Sequence, residues 1–139
     1  MPDDGASAPL HPPKHLWAVL VLYSIASLVH FSHNAEYIAF YPNMPAWLTR
    51  EKVYLAWLAI TSVGLTGAIF AAARWRTTSA LFFFVYGFLG LDGLAHYTLA
   101  LCSEHTLATN LSIWFEAVTG VALAVSAGSF AWRQAVVRQ

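Results

Sequence analysis

The chain has 139 residues, of which 58% are hydrophobic and only 10% are charged, and its acidic and basic side chains balance at seven each. A soluble domain carries roughly 25% charged residues, so this chain has too little polar surface for a water-soluble globule of its size. We therefore predict an integral membrane protein that has the lipid bilayer as a partner. The neutral balance gives no indication of a nucleic-acid partner, and the single cysteine, Cys102, excludes an intrachain disulfide.

The start of the chain differs in composition from the remainder. Residues 1–13, MPDDGASAPLHPP, are polar and proline-rich without periodicity, which predicts a disordered N-terminal tail. Pro12 and Pro13 suit the start of a helix, where the missing N–H of proline is not needed. We expect one transmembrane domain over 14–134 and a short cytoplasmic C-terminal tail over 135–139.

Four apolar segments follow the tail, and each is close to the ~20 residues that a helix needs to cross a bilayer. They are 14–41, 49–74, 78–102 and 106–133. Pro42 and Pro45 end the first segment, and Thr49, Thr78 and Thr106 are suitable N-caps for the other three. The connections are short, so neighbouring helices should be antiparallel. The predicted fold is an all-α integral membrane protein, an antiparallel bundle of four transmembrane helices.

The basic residues predict an orientation in the membrane. One end of the bundle holds Lys14, Arg74, Arg76, Arg133 and Arg138. The opposite end holds Arg50 and Lys52, next to Glu51, so the positive-inside rule places both termini in the cytoplasm of a multi-pass protein of the cell membrane. Aromatic residues lie near the helix ends, as interfacial belts do: Trp17, Tyr41, Trp47, Tyr54, Trp75 and Trp132.

A cleaved signal peptide is the rival interpretation of the first segment. Residues 16–28 are short enough for the apolar part of a signal peptide, and Lys14 precedes them. Asp3 and Asp4 do not suit the basic region that should come first, and apolar residues continue through Phe40 at helical spacing. These features favour a retained helix.

Three of the four helices carry ionisable side chains to one depth. At ~1.5 Å per residue, His30 and His33 lie ~22 and ~27 Å along the first helix. Asp92 and His96 lie ~21 and ~27 Å along the third helix, which runs in the same direction. Glu116 lies ~15 Å in from the start of the returning fourth helix. These acids have no cationic partner at that depth except a histidine or a metal, and each central acid costs at least ~2.5–3.5 kcal/mol on insertion scales.

The direction in which these residues face agrees with their depth. His30, His33, Asn34 and Tyr37 share one stripe of the first helix. Glu36 lies next to that stripe, three residues after His33, and its side chain can reach that of His33. On the fourth helix Ser112, Glu116 and Thr119 share a face, and the spacing of Asp92 and His96 lets a carboxylate and an imidazole bind one ion.

Imidazole and carboxylate together form a ligand set that suits zinc, iron, manganese or copper(II). We therefore predict a divalent transition-metal site near the outer face. Its predicted ligands are His30, His33, Asp92 and His96. Glu116 and Glu36 are the predicted catalytic residues, as a fourth ligand or a general base. A carboxylate near mid-span must be neutral, metal-bound or paired with an imidazolium.

This pattern is compatible with several functions. The first is a metal-dependent enzyme acting on a lipid-like substrate that enters from the bilayer, or a metal-binding subunit. The alternatives are a haem b electron carrier with His33 and His96 as axial ligands, a proton or metal-ion conduit, and a packing subunit that contacts other membrane subunits. A conduit needs a polar path to the cytoplasm, and the inner halves of the helices offer little beyond Ser24, Ser27 and Thr66.

Some of these residues also have simpler interpretations. Asp92 and His96 suit a buried structural pair, and Glu104 and His105 suit a plain loop, although His105 could reach the site as an outer ligand. The aromatic run 81–88, LFFFVYGF, is more typical of lipid-facing and core packing than of a pigment site.

Overall fold

A computed structural model describes residues 11–137, and all of the regular structure in that range is helical. The helices are α1 Lys14–Glu36, α2 Arg50–Ala72, α3 Arg76–Leu89, α4 His96–Leu99 and α5 Leu107–Val137. Three short 3-10 turns, Ile38–Phe40, Asp92–Ala95 and Cys102–Glu104, lie in the connections.

Four segments of the described chain are long and apolar enough to cross a membrane. They are Lys14–Glu36, Arg50–Ala72, Arg76–Leu99 and Leu107–Val136. This number confirms the four segments expected from hydropathy, and the helical class is confirmed as well. The predicted N-terminal tail lies largely outside the described residues, as does the end of the C-terminal tail. Helix α5 continues to Val137, three residues past the predicted domain boundary.

The long helices form a ring in which α1 and α3 each pack against both α2 and α5. Leu16 near the start of α1 shares an apolar cluster with Ala80 near the start of α3 and Phe130 near the end of α5. At the other end, Phe31 of α1 packs with Val53 near the start of α2. Neighbouring helices are therefore antiparallel, as the short connections predict.

One half of the bundle is filled by large apolar side chains, which we call the apolar core. Its buried members are Leu16, Leu20, Tyr23, Ala80, Phe83, Tyr86, Leu123, Ala127 and Phe130. Next to it α3 and α5 approach each other very closely at Gly87 and Gly120. A Cβ atom on either glycine would lie 2.5 Å from the other's carbonyl oxygen, so only glycine permits this approach.

The third span differs from its expected form. Helix α3 begins at Arg76, so Thr78 is not an N-cap, and it ends at Leu89 rather than continuing through Cys102. Gly90 follows, and a Cβ atom there would lie 2.6 Å from the Tyr23 ring. Glycine and aspartate are weak helix formers, and the chain tightens into a 3-10 turn over Asp92–Ala95 before α4.

The other two predicted N-caps are confirmed. The Thr49 hydroxyl accepts the backbone N–H of Lys52 at 3.4 Å, and the Thr106 hydroxyl accepts that of Thr109 at 3.1 Å. Each threonine therefore satisfies one of the free N–H groups at the start of its helix.

Candidate functional site

Six buried polar side chains meet at the end of the bundle where α1 ends. We call them the polar layer: His30, Asn34, His96, His105, Ser112 and Glu116. They come from α1, from the end of the third span, from the turn before α5 and from α5 itself. The convergence of three spans at one depth was expected from the sequence, and their burial agrees with it.

Glu116 and His30 form the centre of the polar layer. The Glu116 side chain is 0% exposed and His30 is 2% exposed, and Oε2 of Glu116 lies 3.6 Å from Nε2 of His30. Neither carboxylate oxygen lies within hydrogen-bond distance of a partner in the described part of the chain, and the Ser27 hydroxyl, which also lacks a partner there, lies beside the carboxyl group. Buried carboxylates in proteins are nearly always hydrogen-bonded or paired, so this arrangement requires an explanation.

The hydrogen bond of the other ring nitrogen of His30 shows which of the two nitrogens carries the hydrogen. Nδ1 of His30 lies 3.2 Å from the Ser112 hydroxyl, and that hydroxyl donates to the carbonyl of Thr109 at 2.9 Å. Ser112 has then used its hydrogen, so Nδ1 of His30 is the donor to Ser112. In the neutral ring Nε2 is consequently an acceptor that faces the carboxyl group of Glu116. The two atoms are 3.6 Å apart, which is close but longer than a hydrogen bond.

Gly93 packs directly against this pair. A Cβ atom on Gly93 would lie 3.4 Å from both Oε2 of Glu116 and Nε2 of His30. A larger residue at this position would therefore crowd both atoms.

His96 and His105 extend the polar layer toward the end of the bundle. Asn34 donates from Nδ2 to Nε2 of His96 at 3.2 Å, and the ring centres of His96 and His30 are 5.6 Å apart. The His105 ring lies 6.2 Å from that of His96. His105 is buried, and neither of its nitrogens has a hydrogen-bond partner in residues 11–136. His105 thus reaches the site from a turn.

Tyr41 joins the polar layer to the half-buried His33. Its hydroxyl lies 2.8 Å from Nδ1 of His33, and its ring centre lies 4.9 Å from that of His96. Burial raises the pKa of Tyr41, and hydrogen bonds with the side chains of Ser112 and Thr109 offset part of that effect. The phenol therefore remains protonated and able to donate.

The polar side chains continue along α1 but stop before its start. Tyr23 and Ser27 are buried on the same stripe as His30 and Asn34, and their hydroxyl groups lack partners among the described residues. The buried residues that precede Tyr23 in α1 are apolar members of the core. The polar strip is thus closed at one end, and this counts against a conduit.

The predicted site residues do not all meet. His30, His96 and Glu116 belong to the polar layer. His33 lies at its edge, bonded to Tyr41. Asp92 lies in the 3-10 turn with an exposed side chain, yet it interacts electrostatically with Glu116 and Tyr23 and so borders the polar layer.

Glu36, a predicted catalytic residue, lies at the surface in a separate network. Its Oε1 atom accepts a hydrogen bond from the Tyr54 hydroxyl at 2.8 Å and lies 2.8 Å from Nη2 of Arg50. These contacts join the end of α1 to the start of α2. They give Glu36 a structural role in the connection.

The predicted metal site receives no support from this geometry. Among residues 11–137, no group of three or more histidine, cysteine, aspartate or glutamate side chains is arranged to hold a metal ion. The haem b alternative required His33 and His96 to face each other across a porphyrin. The Tyr41 ring contacts both imidazoles instead, with ring centres 5.8 and 4.9 Å away.

Three residues that lie next to the polar layer were not predicted from the sequence. Tyr41 was assigned to the interfacial belt, and Tyr23 and Ser27 were not placed in the site. A signal was present for the latter two, because 23, 27, 30 and 34 follow helical spacing on one stripe. No comparable signal existed for Tyr41, which lies in an irregular connection after a 3-10 turn.

No protein-family model, curated protein or solved structure matches this chain. The interpretation of the site therefore depends on its geometry and chemistry.

Proposed function

We propose that the protein is a small integral membrane protein that performs acid–base chemistry on a lipid-soluble molecule at His30 and Glu116. One observation carries the proposal. Glu116 is completely buried, and both of its carboxylate oxygens lack a hydrogen-bond partner within the described chain, while Nε2 of His30 lies 3.6 Å away.

Energetics support a working site. An acidic side chain near the middle of a span costs at least ~2.5–3.5 kcal/mol on insertion scales, and an unpaired buried polar group adds to that cost. A carboxylic acid kept in such a place without a structural partner is typical of functional sites, where stability is given up for reactivity.

The chemistry follows from the proton of the Glu116 carboxyl group. Nδ1 of His30 donates to Ser112, which leaves Nε2 as an acceptor 3.6 Å from Oε2 of Glu116, and a small movement lets these two atoms share that proton. A polar substrate atom that reached this pair would meet both a carboxyl oxygen and an imidazole nitrogen. Such a pair can give a proton to one atom of a substrate and take one from another.

The proposal also includes an orientation of the protein in the cell membrane. The basic residues at the ends of the described helices favour cytoplasmic termini in the cell membrane, which would put the polar layer in the outer half of the bilayer. A substrate would then reach the site from the outer leaflet or from the external solution.

A metal-dependent version is the second candidate, and one distance favours it. Two ligands of a tetrahedral metal ion, each ~2.0–2.2 Å from it, lie about 3.4 Å apart, which is close to the His30–Glu116 separation of 3.6 Å. Zinc, iron, manganese or copper would be suitable. This pair supplies only half of a tetrahedral set, so the metal-free version is preferred.

Infrared difference spectroscopy on the protein in lipid nanodiscs tests the proposal. The signal of the Glu116 carboxyl group is identified by its loss in Glu116→Gln. We expect this signal to change with pH, to shift in heavy water and to shift again in His30→Gln, because the proton is exchangeable and shared. Glu36→Gln serves as the control and should leave it unaltered. A Glu116 signal that responds to none of these changes would belong to a sealed structural acid and would overturn the proposal.

A further inference from the structure

A cavity of about 460 Å³ lies between the end of α1 and the start of α5. Its lining residues are His33, Tyr37, Phe40, Thr106, Ala108 and Thr109. Its volume falls within the ~300–1,000 Å³ of small-molecule sites. The cavity borders the polar layer, because His33 is bonded to Tyr41 and Thr109 lies one turn from Ser112 in α5.

The charges around this cavity restrict what it can hold. Its lining contains no lysine, arginine, aspartate or glutamate. The basic residues at the start of α2 are engaged elsewhere: Arg50 pairs with Glu36, and Lys52 donates to the carbonyl of Trp47 at 2.8 Å. None of the described lining residues carries a permanent charge, so a charged head group would lack a fixed counter-charge, and burial without one is costly. An uncharged head group fits.

His33 supplies the hydrogen-bonding group. Its Nδ1 atom is bonded to the Tyr41 hydroxyl at 2.8 Å, which leaves Nε2 for a ligand. If Tyr41 donates, Nε2 carries the hydrogen and can donate to a carbonyl or hydroxyl oxygen. If Nδ1 donates, Nε2 accepts from a hydroxyl group. The hydroxyl groups of Thr106 and Thr109, 2.9 Å apart, add a second polar point.

Apolar surface continues from the cavity along both helices. Tyr37 and Phe40 at its edge are 52% and 69% exposed. One turn deeper, Val29 of α1 and Leu111 of α5 are also exposed. A hydrocarbon chain would remain in contact with apolar side chains and lipid along this path.

We infer that this cavity binds an uncharged amphiphile, with a hydroxyl or carbonyl oxygen at His33 and an apolar chain along α1 and α5. The inference rests on the proposed function in that the occupant is the molecule on which the site acts. Its head group lies next to Tyr41, which interacts with Ser112 and so with His30.

Photo-crosslinking in nanodiscs tests the inference. The probe is a long-chain alcohol with a diazirine in its chain and a terminal alkyne, and labelled peptides are mapped by mass spectrometry. We expect labelling within 33–41 and 106–115 that an excess of unlabelled alcohol removes. Ala108→Trp, which fills the cavity, should lower this labelling about tenfold, the change that ~1.4 kcal/mol of lost binding produces.

Leu81→Trp is the matched control. Leu81 is an exposed helical residue that lines a second cavity of about 440 Å³, away from the polar layer, with Val63, Thr77, Thr78, Phe82 and Val85. This variant should retain the labelling of the parent. Probes with the same chain and a carboxylate or trimethylammonium head group should label the two segments about tenfold less than the alcohol.

Three results would overturn the inference: no competed labelling in the two segments, equal labelling in Ala108→Trp, or equal labelling by a charged probe. Glu116→Gln should retain labelling, because the cavity does not include Glu116. The crosslinking result is thus independent of the infrared test of the proposed function, and the failure of either is recognised separately.

Discussion

In the apolar core the Phe83 side chain is fully buried, and its ring packs edge-on against that of Trp17 with centres 5.6 Å apart. In the polar layer Glu116 is equally buried, yet neither of its carboxylate oxygens has a hydrogen-bond partner among the described residues. Phe83 lies on α3 and Glu116 lies on α5, and both side chains are fully buried. Phe83 has its full set of contacts, and Glu116 lacks the partner that its chemistry requires.

The difference indicates which half of the bundle provides stability. Close packing and a glycine-permitted helix contact fill the apolar core. The polar layer contains unpartnered atoms on Asn34, His105 and Glu116, again within the described residues. A region that holds a fold together should lose stability when its side chains are truncated, whereas a region kept for chemistry should not.

The largest effect is expected in the apolar core. Phe83→Ala removes a fully buried ring and leaves a cavity between Trp17 and Gly67, and phenylalanine-to-alanine changes in cores cost about 3–5 kcal/mol. Phe84→Ala is the matched control, because Phe84 is the next residue in the chain and its side chain is 42% exposed. Unfolding in detergent, followed by circular dichroism, should show a large loss for the first variant and a small one for the second. Equal losses would contradict the assignment of the core.

A smaller loss is expected where α3 and α5 meet. Gly120→Ala would place a Cβ atom 2.5 Å from the carbonyl oxygen of Gly87, and the helices must separate to relieve it. Overpacking of this kind costs about 1–3 kcal/mol. Gly128→Ala on the same helix is the control, since its Cβ would meet Phe84 at an ordinary 3.5 Å. A thermal melt in which both variants match the parent would show that this helix contact does not contribute to stability.

The sequence predicted much of the fold because the dominant signals are local. Four apolar segments and short connections are sufficient for four antiparallel spans, and Thr49 and Thr106 behave as N-caps. The break in the third span, where Gly90, Asp92 and Gly93 weaken the helix, also involves a residue that is distant in the chain. The Tyr23 ring of α1 packs against Gly90, and that contact is invisible in the local sequence of the third span.

The site was predicted less completely for the same reason. Depth and helical face brought His30, His96 and Glu116 together, because regular helices transmit sequence spacing into space. The same reasoning did not predict the 3-10 turn at Asp92 or the surface network of Glu36. Asp92 lies in a turn whose angle per residue differs from that of an α-helix, and Glu36 is held at the surface by Arg50 of the next helix.

Removal of the Glu36 carboxylate should have a modest effect on stability. Glu36→Gln weakens the pairing with Arg50, and because both side chains are largely exposed, such a contact is worth about 0.2–1 kcal/mol. Arg50→Gln removes the other half of the same pair, and the double variant is the control, because the pair can be lost only once. A melt should show a small decrease for each single variant and no further decrease from loss of the pair in the double variant. Loss of the exchangeable Glu116 signal in Glu36→Gln would instead return Glu36 to the working site.

The smallest effect is expected at the most deeply buried acid. Glu116→Gln preserves the size of the side chain, and the Ser27 hydroxyl beside it can pair with an amide as well as with a carboxyl group. The new amide group can donate to the hydroxyl of Ser27, which lies beside it without a partner in the described chain. We expect the melting temperature in detergent to equal that of the parent or to exceed it, in contrast with Phe83→Ala.

A comparison of the parent protein with Glu116→Gln also distinguishes the metal-free version of the site from the metal-dependent one. If His30 and Glu116 hold a divalent ion, saturating metal stabilises the parent by mass action, by about 2.7 kcal/mol at a hundred times the Kd. Glu116→Gln would then lose most of that gain, because it removes one of only two ligands on the described chain. We expect zinc, manganese and copper to leave both melting temperatures unchanged. A gain in the parent alone would restore the predicted metal site, whereas equal gains in both proteins would indicate binding elsewhere, since Glu116 would not be a ligand.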